Sequence, residues 1–359
     1  MHGGGAERVA ALLSNAWSAR GDTVILMPTF SGRGACSYVL DPRVEIDYLA
    51  DHVNGARGKL RRLWALRRQI RERKPDIVVS FLTNVNVAAL LAGVATGVPV
   101  VVSERSYFPA HSPTLGRALN FLWRLTYPWA AAVVSQSEDT SVWIAKECLS
   151  SNNIVIGNPL HFPMSAAEPM VQPQITLTDG RQCMVAVGRF DHGKRFDLLI
   201  ESFAQVALSH PDWDLVILGD GAGRAALQAQ IEAAGLASRV FMPGFVGNPG
   251  DWYARSSIYV MTSALEGFPN TLIEAMAHGL PAIAFDIKTG PREIMLDGHA
   301  GILLPDDDHL RRLTDALDKL MADDGRRKEL GQIASNVRER YSMKRILDLW
   351  DAVFLKALS

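Results

Sequence analysis

At 359 residues the chain exceeds what one hydrophobic core ordinarily serves and suits two domains of typical size. Hydrophobic residues at 48% and charged residues at 21% exclude the disordered and fibrous classes. A net charge of -1 excludes a global attraction to nucleic acid, so any charge that matters is local.

The N-terminus opens on Gly3-Gly4-Gly5-Ala6-Glu7-Arg8. It has no basic region followed by an apolar run, and no stretch of about eighteen apolar residues occurs anywhere, so the expectation is a soluble or peripheral protein of the cytoplasm. Cys36, Cys148 and Cys183 are odd in number and far apart, which reads as neither a disulfide framework nor a zinc site and fits a reducing compartment. Short β-branched runs at 23–27, 77–81, 98–103 and 131–135 alternate with helical stretches, the pattern of a parallel sheet covered on both faces.

Between the first two runs lies 57–74, with nine basic residues, one acid, and Leu60, Leu63, Trp64, Leu66 and Ile70 for an apolar stripe. This fits a helix on an anionic membrane surface, or an ordinary amphipathic helix whose basic side is solvated. Glu104-Arg105 follows the run 98–103, at the carboxyl edge where open sheets bind ligands; a surface ion pair is the plainer reading. His111 reads as a solvated loop residue. The stretch 117–129, with Phe121, Trp123 and Trp129, suits an interfacial anchor.

From Asn158-Pro159 to Gly180 the chain is rich in Pro and small residues and reads as a linker. A second alternation follows, with strands expected at 183–187, 214–218, 239–242, 258–262 and 281–285. Arg189 and Lys194 lie five apart after the first of these, a pair suited to phosphate, bidentate for Arg and as a point charge for Lys. Gly219-Asp220-Gly221-Ala222-Gly223 stands between a strand and a helix at 224–234, a phosphate-binding context or a plain tight turn. It is not the dinucleotide fingerprint, because Arg224 replaces the third glycine.

The segment 262–281 sets two carboxylates, Glu266 and Glu274, around Gly267-Phe268-Pro269-Asn270. Pro269 with Asn270 or Thr271 as cap starts a helix that Gly279 and Pro281 stop. The first amides of that helix, at Asn270, Thr271 and Leu272, point outward with the positive end of the helix dipole and suit a diphosphate. Alternatively Thr271 and Glu274 form a capping box that serves only the helix. Asp306-Asp307-Asp308 precedes a helical run at 309–321 and reads as N-capping rather than as a metal site.

The Glu-x7-Glu spacing of Glu266 and Glu274 resembles the motif of family 4 glycosyltransferases, retaining enzymes of the GT-B fold. The likeness runs over nearly the whole chain in the family's order: the Gly-rich loop at Gly3, then Val187-Gly188-Arg189 with Lys194, Leu218-Gly219-Asp220-Gly221, Gly290-Pro291-Arg292-Glu293 and Gly298-His299-Ala300-Gly301. Ser80-Phe81-Leu82, Ser103-Glu104-Arg105 and Tyr127-Pro128 are most similar to bacterial transferases that extend polyprenyl-diphosphate-linked oligosaccharides, including N-acetylgalactosaminyltransferases.

The resemblance implies two Rossmann-like domains facing across a cleft: 1–160 for the acceptor, a linker at 161–180, 181–342 for the donor, and a helix at 343–359 returning to the first domain. The family places a strand before its Gly-rich loop. With that loop at Gly3, the first strand is expected to be missing or to lie upstream, and its loss to lower stability by baring neighbouring ladders. A UDP-sugar is the implied donor substrate, and no further cofactor or metal is implied. Gly3, Gly4, Gly188, Arg189, Lys194, Gly219, Gly221, Phe268, Asn270, Thr271, Leu272 and Glu274 would bind it, with Glu274 on the ribose. Glu266 would face the transferred sugar. Glu104 and Arg105 would assist on the acceptor side, although many relatives carry histidine near Arg105, so that histidine's role does not transfer. The implied partners are a nucleotide sugar, a glycan or polyprenyl-diphosphate-linked acceptor and the inner face of the cell membrane, with no nucleic acid. The rival readings are a GT-B epimerase, a two-domain nucleotide-binding protein and, more remotely, an NAD-dependent oxidoreductase.

Overall fold

The computed structural model describes residues 5–29, 38–53, 58–105, 116–149, 152–177 and 180–359. The chain forms two compact units, Met1–Pro159 with Met343–Ser359, and Leu160–Ser342.

In the first unit β1 (Ile25–Leu26) pairs with β2 (Glu45–Ile46), and β3 (Val78–Phe81), β4 (Val100–Ser103), β5 (Ala132–Ser135) and β6 (Asn153–Val155) form a separate parallel sheet in that order. The central strands Val100–Ser103 and Ala132–Ser135 are buried throughout, as continuous Val-rich runs require between two helical layers. One layer carries α1 (Gly5–Ala19), whose Val9, Leu13 and Trp17 meet Ile346, Trp350 and Val353 of the helix Met343–Leu358. Trp17 meets Trp350 edge to face at 5.8 Å. The other layer holds α2 (Lys59–Arg73), α3 (Thr83–Gly93), α4 (Arg117–Thr126) and α5 (Glu138–Cys148). Ser137 caps α5 by accepting from the Thr140 amide at 3.3 Å.

Two expectations for this layer need correction. The expected apolar stripe of α2 divides: Ala65, Leu66, Gln69 and Ile70 are buried, while Leu60 and Trp64 are 73% and 69% exposed. Successive residues of a helix turn by about 100°, so positions 60 and 64 share one face and 66 and 70 another. Nor is the basic set uniformly solvated. Arg62 donates to the Thr29 carbonyl, and Arg67 to the carbonyls of Ala92, at 3.1 Å, and Val94. In α4 Phe121 is exposed and Trp129, just beyond, half exposed, but Trp123 is buried and stacked on Trp143 at 4.7 Å.

The second unit is built on one six-stranded parallel sheet in the order β12 (Ile302–Leu304), β11 (Ala282–Phe285), β10 (Ile258–Met261), β7 (Gln182–Val187), β8 (Trp213–Leu218) and β9 (Val240–Gly244). Its core is a single cluster that includes Met184, Val185, Leu215, Val216, Tyr259 and Ile283. The stretch read as a linker is bonded onto this unit: the Leu160 amide donates to Tyr341 O at 2.7 Å, Ala167 to Gly247 O at 2.9 Å, and Leu177 is buried. Among the described residues no helix is long and apolar enough to cross a membrane.

Candidate active site

The strand order of the second unit reverses between β7 and β10, and open α/β sheets bind ligands at the carboxyl ends of strands at such a switch point. The loops leaving these two strands, 188–195 and 262–269, are locked together. Thr262 Oγ1 donates to Lys194 O at 2.7 Å, the Ala264 amide to Gly193 O at 2.9 Å, and Arg195 Nε to Thr262 O at 2.8 Å. Arg195 also lies over the Phe285 ring at 4.9 Å. Asp191 turns the first loop by accepting from the Gly193 amide at 3.0 Å. The third loop, after β8, presses on the first: Phe190 N–H donates to Asp220 O and Gly223 N–H to Phe190 O, both at 2.9 Å. Gly219 has φ +132°, and a Cβ there would lie 1.9 Å from Gly188 O, so only glycine permits this approach.

Within this frame Lys194 Nζ meets Glu266 Oε1 at 2.5 Å, the two side chains 23% and 15% exposed. Residues 72 apart in sequence form the ion pair at the centre of the site. Arg189 pairs with Asp191 at 2.9 Å and is 80% exposed.

The helix Asn270–Ala277 begins beside Glu266 with Pro269 at the cap position and no side-chain cap. Pro269 itself holds the cap position, ahead of either expected cap. Thr271 lies inside the first turn and its hydroxyl shares a 2.8 Å bond with Tyr259 OH, while Glu274 is on the second turn, 5% exposed, with Tyr253 OH at 3.5 Å. The Leu272 amide, expected to point outward, donates to Pro269 O at 3.2 Å. Phe268, expected at the nucleotide, is buried against Tyr341 with ring centroids 5.7 Å apart, because the turn before the helix is held by core packing.

Thr289 is a residue the sequence reading missed. It is 1% exposed with φ +93°, unusual for a β-branched residue, and its hydroxyl donates to Glu266 O. Gly290 beside it has φ +100°, and a Cβ there would sit 2.5 Å from Pro269 Cδ. The turn thus braces the carboxylate loop from below. Gly290-Pro291-Arg292-Glu293 was visible in sequence, but nothing marked the preceding Thr as left-handed.

Each member of the Asp306-Asp307-Asp308 run is engaged by a basic side chain: Asp306 by His309 at 2.7 Å, Asp307 by Arg312 and Asp308 by Arg311. Asp308 occupies the cap position of helix His309–Ala322, yet its side chain makes no capping bond, which corrects the expected role. Among the described residues no group of three or more His, Cys, Asp or Glu side chains is set to hold a metal ion.

In the first unit Glu104 is 1% exposed and turned inward. Thr83 Oγ1 donates to its two oxygens at 2.9 and 3.0 Å, Tyr127 OH to Oε2 at 2.5 Å, and the Arg105 amide to Oε1 at 3.1 Å. Burial, reinforced by this carboxylate, holds the Tyr127 phenol well above its ordinary pKa. These bonds tie Glu104, expected to assist on the acceptor side, to the end of β4. Arg105 is 7% exposed, and burial pulls its guanidinium down to about 9 against the attraction of Glu104. Gly3, Gly4 and His111 lie outside the described residues.

Residues 167–337 match the family of glycosyl transferases group 1, and residues 4–153 match the glycosyl transferase 4-like domain. Over 356 residues the chain is 25% identical to the Campylobacter jejuni GalNAc-alpha-(1->4)-GalNAc-alpha-(1->3)-diNAcBac-PP-undecaprenol alpha-1,4-N-acetyl-D-galactosaminyltransferase, covering 98% of this chain and 94% of that one. It is 28% identical over 355 residues to the amylovoran biosynthesis glycosyltransferase AmsD of Erwinia amylovora, covering 98% and 95%. The fold is similar to that of Anabaena HepE, solved in complex with UDP and glucose, with a TM-score of 0.80 and 18% identity over 97% of this chain and 95% of that one.

Proposed function

We propose, from the premise that this chain is a glycosyltransferase of the GT-B fold joining a glycosyl transferase 4-like domain to a group 1 domain, that it moves a hexose or N-acetylhexosamine from a UDP-sugar, with retention, onto a lipid-linked oligosaccharide or related glycan. The transfer belongs to cell-surface polysaccharide or glycan assembly at the cytoplasmic face of the membrane. The observation that carries this reading is the Lys194–Glu266 pair at the switch point of the second sheet, beside the start of helix Asn270–Ala277.

Departure of a diphosphate needs positive charge that grows in effect as the bond breaks. Lys194, Arg189 and the first turn of that helix supply it without a metal. Glu266 faces the sugar and supports the developing charge at the anomeric carbon, and the buried Glu274 takes the ribose hydroxyls. The departing phosphate oxygen accepts the proton of the attacking hydroxyl on the same face, so no protein base is required. The paired-carboxylate logic of glycosidases is not invoked for this spacing.

Leu60 and Trp64 stand exposed on the same helix as Lys59, Arg61, Arg68 and Arg71, a combination suited to the interface of an anionic membrane. The deciding experiment incubates the protein with a panel of UDP-sugars and polyprenyl-diphosphate-linked acceptors, weighs the products and reads the anomeric configuration by NMR. An acceptor heavier by one hexose or N-acetylhexosamine in retained configuration is expected. Release of an epimerised sugar with no acceptor present overturns the reading.

A further inference from the structure

Four strand ends of the first unit converge on one side chain. Phe81 closes β3, Arg105 follows β4, Gln136 follows β5 and Asn158 lies beyond β6. Arg105 Nη1 donates to Asn158 Oδ1 at 2.5 Å, and the same oxygen accepts from Gln136 Nε2 at 2.6 Å. The Phe81 ring lies 5.2 Å from the guanidinium carbon. Amide and ring together fix the orientation of the guanidinium. Its other two nitrogens, Nε and Nη2, are buried and make no hydrogen bond. Two residues back, at the end of β4, the Ser103 hydroxyl is also buried and unpaired.

The neighbouring carboxylate does not use these donors, because Glu104 is committed to Thr83, Tyr127 and the Arg105 amide. A buried cation with unmet donors is costly, and native proteins retain one chiefly where something else meets it. The two idle groups are not an arbitrary pair: Nε–H and Nη2–H form one edge of the planar guanidinium and point in parallel, the fork that grips two oxygens of a phosphate or carboxylate at once. Nη1, which lies off this edge, is the nitrogen already spent on Asn158.

We propose that the Nε–Nη2 edge of Arg105 is a built oxyanion receptor at the carboxyl edge of the first sheet, taking a phosphoryl group carried by the acceptor. The inference rests on the acceptor reading above, and it adds a named receptor and a ligand chemistry. Asn158 and Gln136 are positioning residues, and Phe81 is the platform.

The test uses the full chain, its R105K variant, which keeps the charge and loses the fork, and R105Q. With UDP saturating the other unit, inorganic diphosphate is titrated by calorimetry. The parent should bind it saturably, and both variants at least about tenfold more weakly, since the bidentate geometry is gone. UDP affinity should stay within about twofold, because Lys194 and Arg189 are untouched. The melting temperature of R105Q should not fall, since an incompletely paired buried charge is removed. With a polyprenyl-diphosphate-linked glycan, R105K should raise the KM for that acceptor and leave the KM for the UDP-sugar in place, whereas the same glycan without phosphate should show no difference. An unchanged diphosphate isotherm, or a clearly lower melting temperature with diphosphate binding retained, shows Arg105 to be structural and overturns the proposal. Arg105-dependent diphosphate binding without any effect on acceptor KM overturns the assignment to the acceptor in favour of free phosphate. If transfer occurs to no acceptor while Arg105-dependent binding holds, the functional reading fails and the receptor stands.

Discussion

Glu266→Gln should tighten the binding of free UDP, whereas Lys194→Ala should weaken it. In the ligand-free site Lys194 Nζ is taken by Glu266 Oε1 at 2.5 Å. A diphosphate must therefore compete with Glu266 for the cation on which it depends. Two unit charges at this separation attract by roughly 5 to 7 kcal/mol at an effective dielectric of about 20, before desolvation. Both side chains keep partial contact with water, so the net worth of the pair is nearer 1 to 2 kcal/mol, between an exposed bridge and a buried one. Removing the competitor returns part of that, so E266Q should bind UDP about five- to tenfold more tightly. Its turnover should nevertheless fall by about 10²-fold, as loss of a group that acts on the transition state demands. K194A removes the electrostatic partner and leaves the Glu266 charge beside the incoming phosphates, so turnover should drop by about 10²- to 10³-fold and UDP affinity with it. Calorimetric titration of UDP with the two single variants and the double variant closes the cycle. The coupling should be about 1 kcal/mol or more, as for groups in contact. Additivity within about 0.3 kcal/mol, or UDP weakened by E266Q as much as by K194A, refutes the exchange of partners.

Glu274→Gln should weaken UDP at fixed Lys194, since Glu274 is assigned to the ribose; equal UDP affinity of E274Q and parent in the same titration would remove it from the nucleotide site. Thr289→Gly relieves the left-handed backbone but deletes the hydroxyl under Glu266, so kcat should fall about tenfold or more with KM for the donor little moved, and Thr289→Ser should restore most of it. Activity should survive EDTA; loss restored by Mn²⁺ or Mg²⁺ would refute the metal-free account. Reversing the exposed Arg61, Arg68 and Arg71 of α2 to Glu should abolish flotation with anionic liposomes, each charge being worth about 1 kcal/mol at low salt, while UDP titration is unchanged. Arg62 and Arg67 are left out because they bond the carbonyls of Thr29, Ala92 and Val94, and their loss would confuse folding with binding.

The alternation of β-branched runs with amphipathic stretches determined the class of both units, because a strand buried on two faces needs a continuous apolar run and a crossover helix needs one apolar side. The final helix, Met343–Leu358, was expected from the family resemblance alone, and its Ile346, Trp350 and Val353 pack in the core of the first unit. The strands Glu45–Ile46, Asn153–Val155 and Ile302–Leu304 were not, since two or three residues carry no period and only the neighbouring ladder makes them strands. At the site, the residue types were readable and their partners were not. Glu266 and Lys194 are far apart in the chain and meet because β7 and β10 are neighbours where the strand order reverses. Glu104 and Arg105, adjacent in sequence, have opposite fates: one is consumed by Thr83 and Tyr127, and the other keeps two donors idle. Leu60 and Trp64 face outward although the pattern counted them inward, because a helix with apolar residues on two sides is oriented by the sheet and helix it packs on. Local sequence sets which faces and charges exist. Strand order, and the desolvation that accompanies packing, decide which of them meet and which are left for a ligand.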